Sequence, residues 1–181
     1  MDDMVNDAVK TGLSFGLTSG IITTLGLMVG LHSGTHSKVV VIGGILTIAI
    51  ADAFSDALGI HVAQESQNRH STKAIWESTL ATFAAKFIVA VTFVIPIVLL
   101  PMDSAMVASA LWGLLLLAGF SFYMARAQGV SPWGVVAEHV LIALVVIGIT
   151  HYLGEWLAEM FSDGPAASGV STNQSRPSIT R

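Results

Sequence analysis

The sequence predicts an all-α integral membrane protein built as a bundle of five transmembrane helices. Of its 181 residues, 53% are hydrophobic and 11% are charged, and the mean hydropathy is +0.73. Soluble domains carry about 25% charged residues, so this chain has too few charges to cover a surface that faces water. Its apolar runs are continuous and about 20 residues or longer, as in spanning helices, whereas the strands of membrane barrels alternate apolar and polar residues.

Five predicted spans make up one membrane domain over residues 1–161. They cover residues 11–31, 39–64, 75–100, 104–125 and 133–160. Residues 162–181 are rich in Gly, Ser, Pro and Asn, and we expect them to form a disordered tail because they have little apolar surface to bury.

The distribution of basic residues predicts the orientation. Lysine and arginine in short loops favour the cytosolic side of a membrane. With a cytosolic N-terminus and an external C-terminus, the external loops hold only Lys38, and the cytosolic side holds Lys10, Arg69, Lys73 and Arg126.

Composition and missing motifs exclude several functions. Eight basic residues against twelve acidic ones leave no positive surface for nucleic acid. The chain has no cysteine, so any metal must be bound by oxygen or nitrogen atoms. Phosphate-binding loops and hydrolase motifs are absent, and two aspartates on one helix cannot readily flank a scissile bond. We therefore expect no enzyme and no bound cofactor, with the lipid bilayer as the surrounding medium.

Two aspartates in the middle of the second span carry the strongest functional indication. Asp52 and Asp56 lie one helical turn apart and share a face with Ser55. Ionisable groups at this depth are costly and usually line an ion or proton route. Two like charges this close resist joint ionisation unless a cation neutralises them. The pair predicts a site that exchanges a divalent cation for protons; the alternative is a structural ion pair with a neighbouring helix.

Lys86 in the third span is the predicted charge partner. At ~1.5 Å per residue from the span centres, Lys86 and Asp56 lie at compatible depths. We expect Lys86 either to neutralise one carboxylate permanently or to act as a built-in cation that a metal must displace.

The end of the fifth span offers a second, weaker pattern. His151, Glu155 and Glu159 recur at a spacing of four, which puts an imidazole and two carboxylates on one face as a candidate relay for a borderline metal. The alternative is a solvated helix face. In the first external loop, we expect His32 and His36 to be exposed.

Two segments, Ser19–Gly26 and Ala51–Gly59, resemble the vacuolar iron transporter family. The family's first helix typically carries Asp-Gly-x-x-Thr-Thr-Phe, and many small prokaryotic members read Ala-Asp-Gly-Phe-Ser-Met-Ala-x-Gly in the second. Asp52 falls on the aspartate of the second motif. Ser19 stands where the family's first-helix aspartate falls, and Asp56 where the family carries methionine. The family's long Glu-rich cytosolic region is absent.

This resemblance implies a proton-coupled transporter of Fe2+ or Mn2+ that moves metal out of the cytosol, in a prokaryotic cell membrane rather than a vacuolar one. It also implies a homodimer, which we expect to form through Gly12, Gly16 and Gly20, because glycines four apart let helices approach closely. Carboxylate in place of a thioether shifts the preference towards manganese. The alternative is a non-transporting scaffold or partner subunit whose intramembrane Asp–Lys pair is structural.

The predicted metal ligands fall into mid-membrane carboxylates, neutral oxygens, an inner access point and an outer exit. The mid-membrane carboxylates are Asp52 and Asp56, and the neutral oxygens come from Ser19, Thr23 and Ser55. Glu65 and Glu77 form the inner access point, and His151 and Glu155 form the outer exit.

Overall fold

The structure, a computed structural model, describes residues 2–68 and 70–162. This part of the chain is helical apart from short connections, and it contains no strand. Its helices are α1 (Asp2–Thr35), α2 (Lys38–Gln67), α3 (Thr72–Thr92), α4 (Val94–Leu99), α5 (Met102–Ala127) and α6 (Pro132–Ser162). The all-α prediction is confirmed. The predicted tail, beyond Ser162, lies outside the described residues.

Five segments of the described chain are long and apolar enough to cross a bilayer, which confirms the predicted number. They are Asp7–Thr35, Lys38–Gln67, Thr72–Leu99, Met102–Ala127 and Pro132–Phe161. Their ends agree with the predicted spans to within about one helical turn. Most helices continue slightly beyond the apolar run, because backbone hydrogen bonding does not require apolar side chains.

Short polar connections separate the first three spans. Ser37 caps the start of α2 by accepting from the Val40 amide, and Ser71 caps α3 by accepting from the Ala74 amide. Side-chain caps of this kind satisfy amides that have no partner within the helix. Because the connections are short, α1 lies beside α2 and α2 lies beside α3, and each pair runs antiparallel.

The third span consists of α3 and α4, with a break at Phe93. Pro96 lacks an amide hydrogen, so it cannot bond to the carbonyl of Thr92. The Phe93 amide instead bonds to the Ala90 carbonyl at 3.2 Å, which tightens the last turn of α3. The Phe93 side chain is fully buried and anchors this break in the core.

Helix α1 lies at the centre of the bundle and contacts α2, α3, α5 and α6. Its apolar side chains Ile21, Leu25 and Met28 are buried and belong to the same core as Val41 and Ile45 of α2. Helix α6, by contrast, contacts α1 and α5 and leaves most of its apolar surface exposed, as expected for a helix that faces lipid.

The glycine face of α1 packs against α3 of the same chain. A Cβ atom at Gly12 would lie 2.4 Å from the carbonyl oxygen of Ser78, and one at Gly16 would lie 2.5 Å from that of Thr82. The prediction that a homodimer forms through Gly12, Gly16 and Gly20 is therefore wrong, because α3 already occupies this face. A homodimer through another surface stays a prediction.

Candidate functional site

Helices α2 and α3 bring three ionisable side chains together near the middle of their spans. Asp52 and Asp56 lie one turn apart on α2, and Lys86 projects from α3. Gly20 of α1 faces the lysine, where a Cβ would lie 3.1 Å from Lys86 Cγ and 3.2 Å from Lys86 Cα. The missing side chain at Gly20 leaves room for the lysine stem against α1.

The Lys86 ammonium group contacts three oxygen atoms. Its Nζ lies 2.6 Å from Asp52 Oδ2 and 2.9 Å from Ser19 Oγ, and it contacts Asp56 Oδ2. The Ser19 hydroxyl accepts from Lys86 and donates to Asp56 Oδ2 at 2.6 Å. Because an ammonium group has three hydrogens, these oxygens satisfy all of its donors. We call Ser19, Asp52, Asp56 and Lys86 the Asp–Lys cluster.

Exposure rises across the Asp–Lys cluster from the lysine to the aspartates. The Lys86 side chain is 2% exposed, Asp56 is 19% exposed and Asp52 is 31% exposed. Two ionised carboxylates and one ammonium leave a single negative charge in the cluster. A net charge inside a membrane protein is costly, so the cluster favours the approach of further positive charge from the side of Asp52.

An open groove of about 450 Å³ between α1 and α2 reaches Asp52. Thr23 and Ser55 line it beside Asp52, so three of the predicted oxygen ligands share one cavity. The Thr23 hydroxyl donates to the Ser19 carbonyl at 2.9 Å, which leaves its oxygen lone pairs free to face the groove. Ser55 is exposed to the groove.

The two glutamates expected at the inner access point lie apart from the Asp–Lys cluster. Glu65 is exposed near the end of α2, ~13 Å along the helix from Asp56. Glu77 pairs with Lys73 one turn earlier on α3, with Nζ and Oε1 3.6 Å apart. Exposed ion pairs of this kind contribute little to stability.

His151 and Glu155 lie at the opposite end of the bundle, beside the last turn of α1. His151 Nδ1 is 2.5 Å from Ser33 Oγ, and His151 Nε2 is 3.4 Å from Glu155 Oε1. Both side chains are about half exposed. They line a cavity of about 280 Å³ together with His32 and His36.

The expectation that His32 is exposed in a loop is wrong. Helix α1 continues to Thr35, and only 18% of the His32 side chain is exposed. His36, just beyond the helix, is exposed as expected. The spacing of four between the two histidines, on a helix longer than its apolar run, could have indicated that they face one cavity.

In the conformation that the described side chains adopt, no three His, Asp or Glu residues are grouped closely enough to hold a metal ion. In the Asp–Lys cluster the reason is visible, because the Lys86 ammonium group contacts both carboxylates. A metal ion can bridge Asp52 and Asp56 only after Lys86 moves away.

Five apolar spans, three of which supply the residues of the Asp–Lys cluster, define an integral membrane protein of the kind in which such clusters mark ion pathways. Residues 13–75 match the model of the VIT family. The match includes Ser19, Asp52 and Asp56 and ends before Lys86. It supports membership of the vacuolar iron transporter family, as the resemblance in α1 and α2 predicted, and membership suggests membrane transport of metal ions. No curated protein matches the chain.

Proposed function

We propose that the protein is a proton-coupled divalent metal transporter that moves Fe2+ or Mn2+ out of the cytosol, with the Asp–Lys cluster as its ion site. The observation that carries this proposal is the buried Lys86 ammonium group held between two mid-membrane carboxylates. That position is where a metal ion shared by the carboxylates would sit. The family match supplies the class of ion.

Charge balance gives a reason for coupling to protons. With Lys86 protonated, Asp52 and Asp56 leave the cluster with one negative charge. A divalent ion added to this state makes the cluster positive, whereas the same ion bound after Lys86 loses its proton makes it neutral. Neutrality is favoured inside a membrane, so binding of the metal from the groove releases the lysine proton.

The ligand chemistry favours Mn2+ over Fe2+. The cluster and its groove offer carboxylate oxygens from Asp52 and Asp56 and hydroxyl oxygens from Ser19, Thr23 and Ser55. Oxygen ligands suit harder ions such as Mn2+, and the soft thioether that the family carries is replaced by Asp56.

The remaining parts of the route belong to the same proposal. Glu65 and Glu77 collect metal at the cytosolic end, and His151 and Glu155 receive it at the external end. The N-terminus lies in the cytosol, and the transporter works as a homodimer whose interface excludes the glycine face of α1. Light scattering of the detergent-solubilised protein tests the dimer.

Transport is tested with the purified chain in proteoliposomes that hold a metal-sensitive and a pH-sensitive dye. We expect wild type to move Mn2+ and, less readily, Fe2+, with proton movement in the opposite direction. Asp52→Asn and Asp56→Asn each lower the rate by about tenfold or more, because each removes a charged ligand. Asp7→Asn, at an exposed aspartate paired with Lys10, is the matched control and transports normally. Absence of ion movement in wild type, or normal rates in both cluster variants, contradicts the proposal.

One observation favours the alternative of a non-transporting scaffold: every hydrogen of the Lys86 ammonium already has an oxygen partner. A fully satisfied buried pair can serve helix packing alone. Lys86→Met separates the two functions in the same liposomes. If Lys86 couples transport to protons, Lys86→Met changes the number of protons moved per metal ion. If the protein is a scaffold, neither wild type nor the variant transports metal.

A further inference from the structure

We propose that His32, His36, His151 and Glu155 form a second binding site, for a divalent transition-metal ion, at the end of the bundle where α1 and α6 end. We call these four residues the distal histidine site. It lies ~20 Å along α1 from Ser19 of the Asp–Lys cluster. Its existence does not depend on transport, because a metal can bind here whether or not an ion crosses the membrane.

The four side chains form two pairs, and the spacing within each pair suits two ligands of one metal ion. The rings of His32 and His36 have centroids 5.2 Å apart. Two imidazoles on one tetrahedral ion, with metal–nitrogen distances of ~2.0–2.1 Å, have ring centroids about 5 Å apart. His151 Nε2 and Glu155 Oε1 are 3.4 Å apart, which is close to the separation of about 3.4 Å between neighbouring ligand atoms of such an ion.

Close packing of α1 and α6 places the two pairs on either side of one cavity. A Cβ at Gly154 would lie 2.4 Å from the carbonyl oxygen of Gly30, and one at Gly34 would lie 3.2 Å from that of Gly154. These glycines bring the helix backbones into contact, and both pairs then line the cavity of about 280 Å³. As they stand, no three of these side chains are grouped to hold an ion, so binding requires the side chains of the two pairs to rotate into the cavity that both pairs line.

Each buried or bridging histidine keeps one ring nitrogen for a metal. Metal-binding histidines usually bond through their other nitrogen to a carboxylate, a carbonyl or water. His32 Nε2 lies 4.0 Å from Asp103 Oδ1, and its buried Nδ1 has no hydrogen-bond partner among the described residues. His151 Nδ1 contacts Ser33 Oγ, which leaves Nε2 to face Glu155. A buried nitrogen without a partner calls for an explanation; rotation of the His32 ring that turns Nδ1 towards the cavity lets a metal ion become that partner.

His36 has a backbone conformation that its residue type disfavours. Its φ is 51°, in the left-handed region, at the position after α1 where helices commonly carry glycine. Strained residues of this kind tend to occur at functional sites. This conformation makes His36→Gly a useful variant, because glycine removes the imidazole and also removes the backbone strain, so the loss of the ligand does not lower stability.

Three imidazoles and one carboxylate suit Zn2+, Fe2+, Co2+ or Ni2+ rather than Mg2+ or Ca2+. We choose Co2+ as the probe, because its visible absorption reports coordination geometry directly. The full chain, purified in detergent and free of any polyhistidine tag, is titrated with Co2+ and followed by absorption and by calorimetry.

We expect wild type to bind one Co2+ at this site with the spectrum of a nitrogen-rich tetrahedral ion. His36→Gly and His151→Gln each weaken this binding by about tenfold or more. His36→Gly keeps the thermal stability of the metal-free protein, so lost binding is not lost folding. His139→Gln is the matched control, because His139 contacts Ser121 on α5 and lies outside the site; it binds Co2+ as wild type does.

Three results overturn the proposal. One is the absence of saturable tetrahedral Co2+ binding in wild type. Another is unchanged binding in both His36→Gly and His151→Gln. The third is loss of this binding in the single variant Asp52→Asn or Asp56→Asn, which assigns the ion to the Asp–Lys cluster. If the aspartate variants bind Co2+ normally but do not transport, the distal histidine site stands independently of the transport result.

Discussion

Replacement of Lys86 by methionine tests how much the Asp–Lys cluster depends on its cation. Methionine has a flexible unbranched side chain that fills much of the volume of the lysine stem, so the change removes charge with little change in packing. Lys86 is 2% exposed, and its loss leaves Asp52 and Asp56 one turn apart without a neutralising partner.

The expected loss of stability follows from the burial of the three groups. Removal of one partner from a buried ion pair costs about 3–5 kcal/mol. Asp52 is 31% exposed and Asp56 is 19% exposed, so neither carboxylate is fully buried. We therefore expect the lower end, about 3 kcal/mol, or about a hundredfold in the unfolding equilibrium. Asparagine at both aspartates in the Lys86→Met protein removes the unpaired charges and recovers about 2 kcal/mol.

Reversible unfolding in mixed detergent micelles with increasing dodecyl sulfate, followed by circular dichroism, measures these free energies. Lys73→Met is the matched control, because Lys73 is 79% exposed and its pair with Glu77 contributes less than about 1 kcal/mol. The reasoning fails if Lys86→Met unfolds at the same dodecyl sulfate fraction as wild type. It also fails if the triple variant is less stable than Lys86→Met, since unpaired charge is then not the cause.

Two further pairs of variants, one for helix packing and one for buried hydroxyl groups, are compared in the same unfolding assay. Gly16→Ala destabilises the protein by about 1–3 kcal/mol because its Cβ would lie 2.5 Å from the Thr82 carbonyl oxygen. Gly59→Ala, whose Cβ would have no atom within 4 Å, stabilises the protein by about 0.5–1 kcal/mol. Equal effects of the two substitutions would show that α1 and α3 are not in contact at Gly16. Thr24→Val stabilises by about 1 kcal/mol because the buried Thr24 hydroxyl has no partner among the described residues. Thr82→Val destabilises by a similar amount, about 1 kcal/mol, because the Thr82 hydroxyl bonds to the Gly12 and Ser78 carbonyls; effects of the same sign would contradict this account.

Local geometry explains why parts of the site were predictable from the sequence. Asp52 and Asp56 share a face because they lie four apart on one helix, and no tertiary contact changes that. The depth of Lys86 follows from the constant rise of a helix. The double role of Ser19, which contacts both Lys86 and Asp56, depends on how α1 rotates against α2 and α3 and was not predictable in this way.

The glycine face shows where such local prediction stops. Glycines four apart predict a close helix neighbour but carry no information about which helix it is. The neighbour is α3, and Gly20 has the additional role of making room for Lys86. Similarly, the sequence places His32 and His151 in distant spans, and their common cavity results from the packing of α1 against α6.

The sequence by itself therefore determined the membrane class, the five spans and the two aspartates placed at mid-membrane. These follow from the thickness of the bilayer and from the cost of burying charge, which act on each segment separately. Only the tertiary structure decided that Lys86 bridges both aspartates, that α3 covers the glycine face and that histidines from α1 and α6 meet. Those outcomes depend on shape complementarity between segments far apart in the chain, which no single helix encodes.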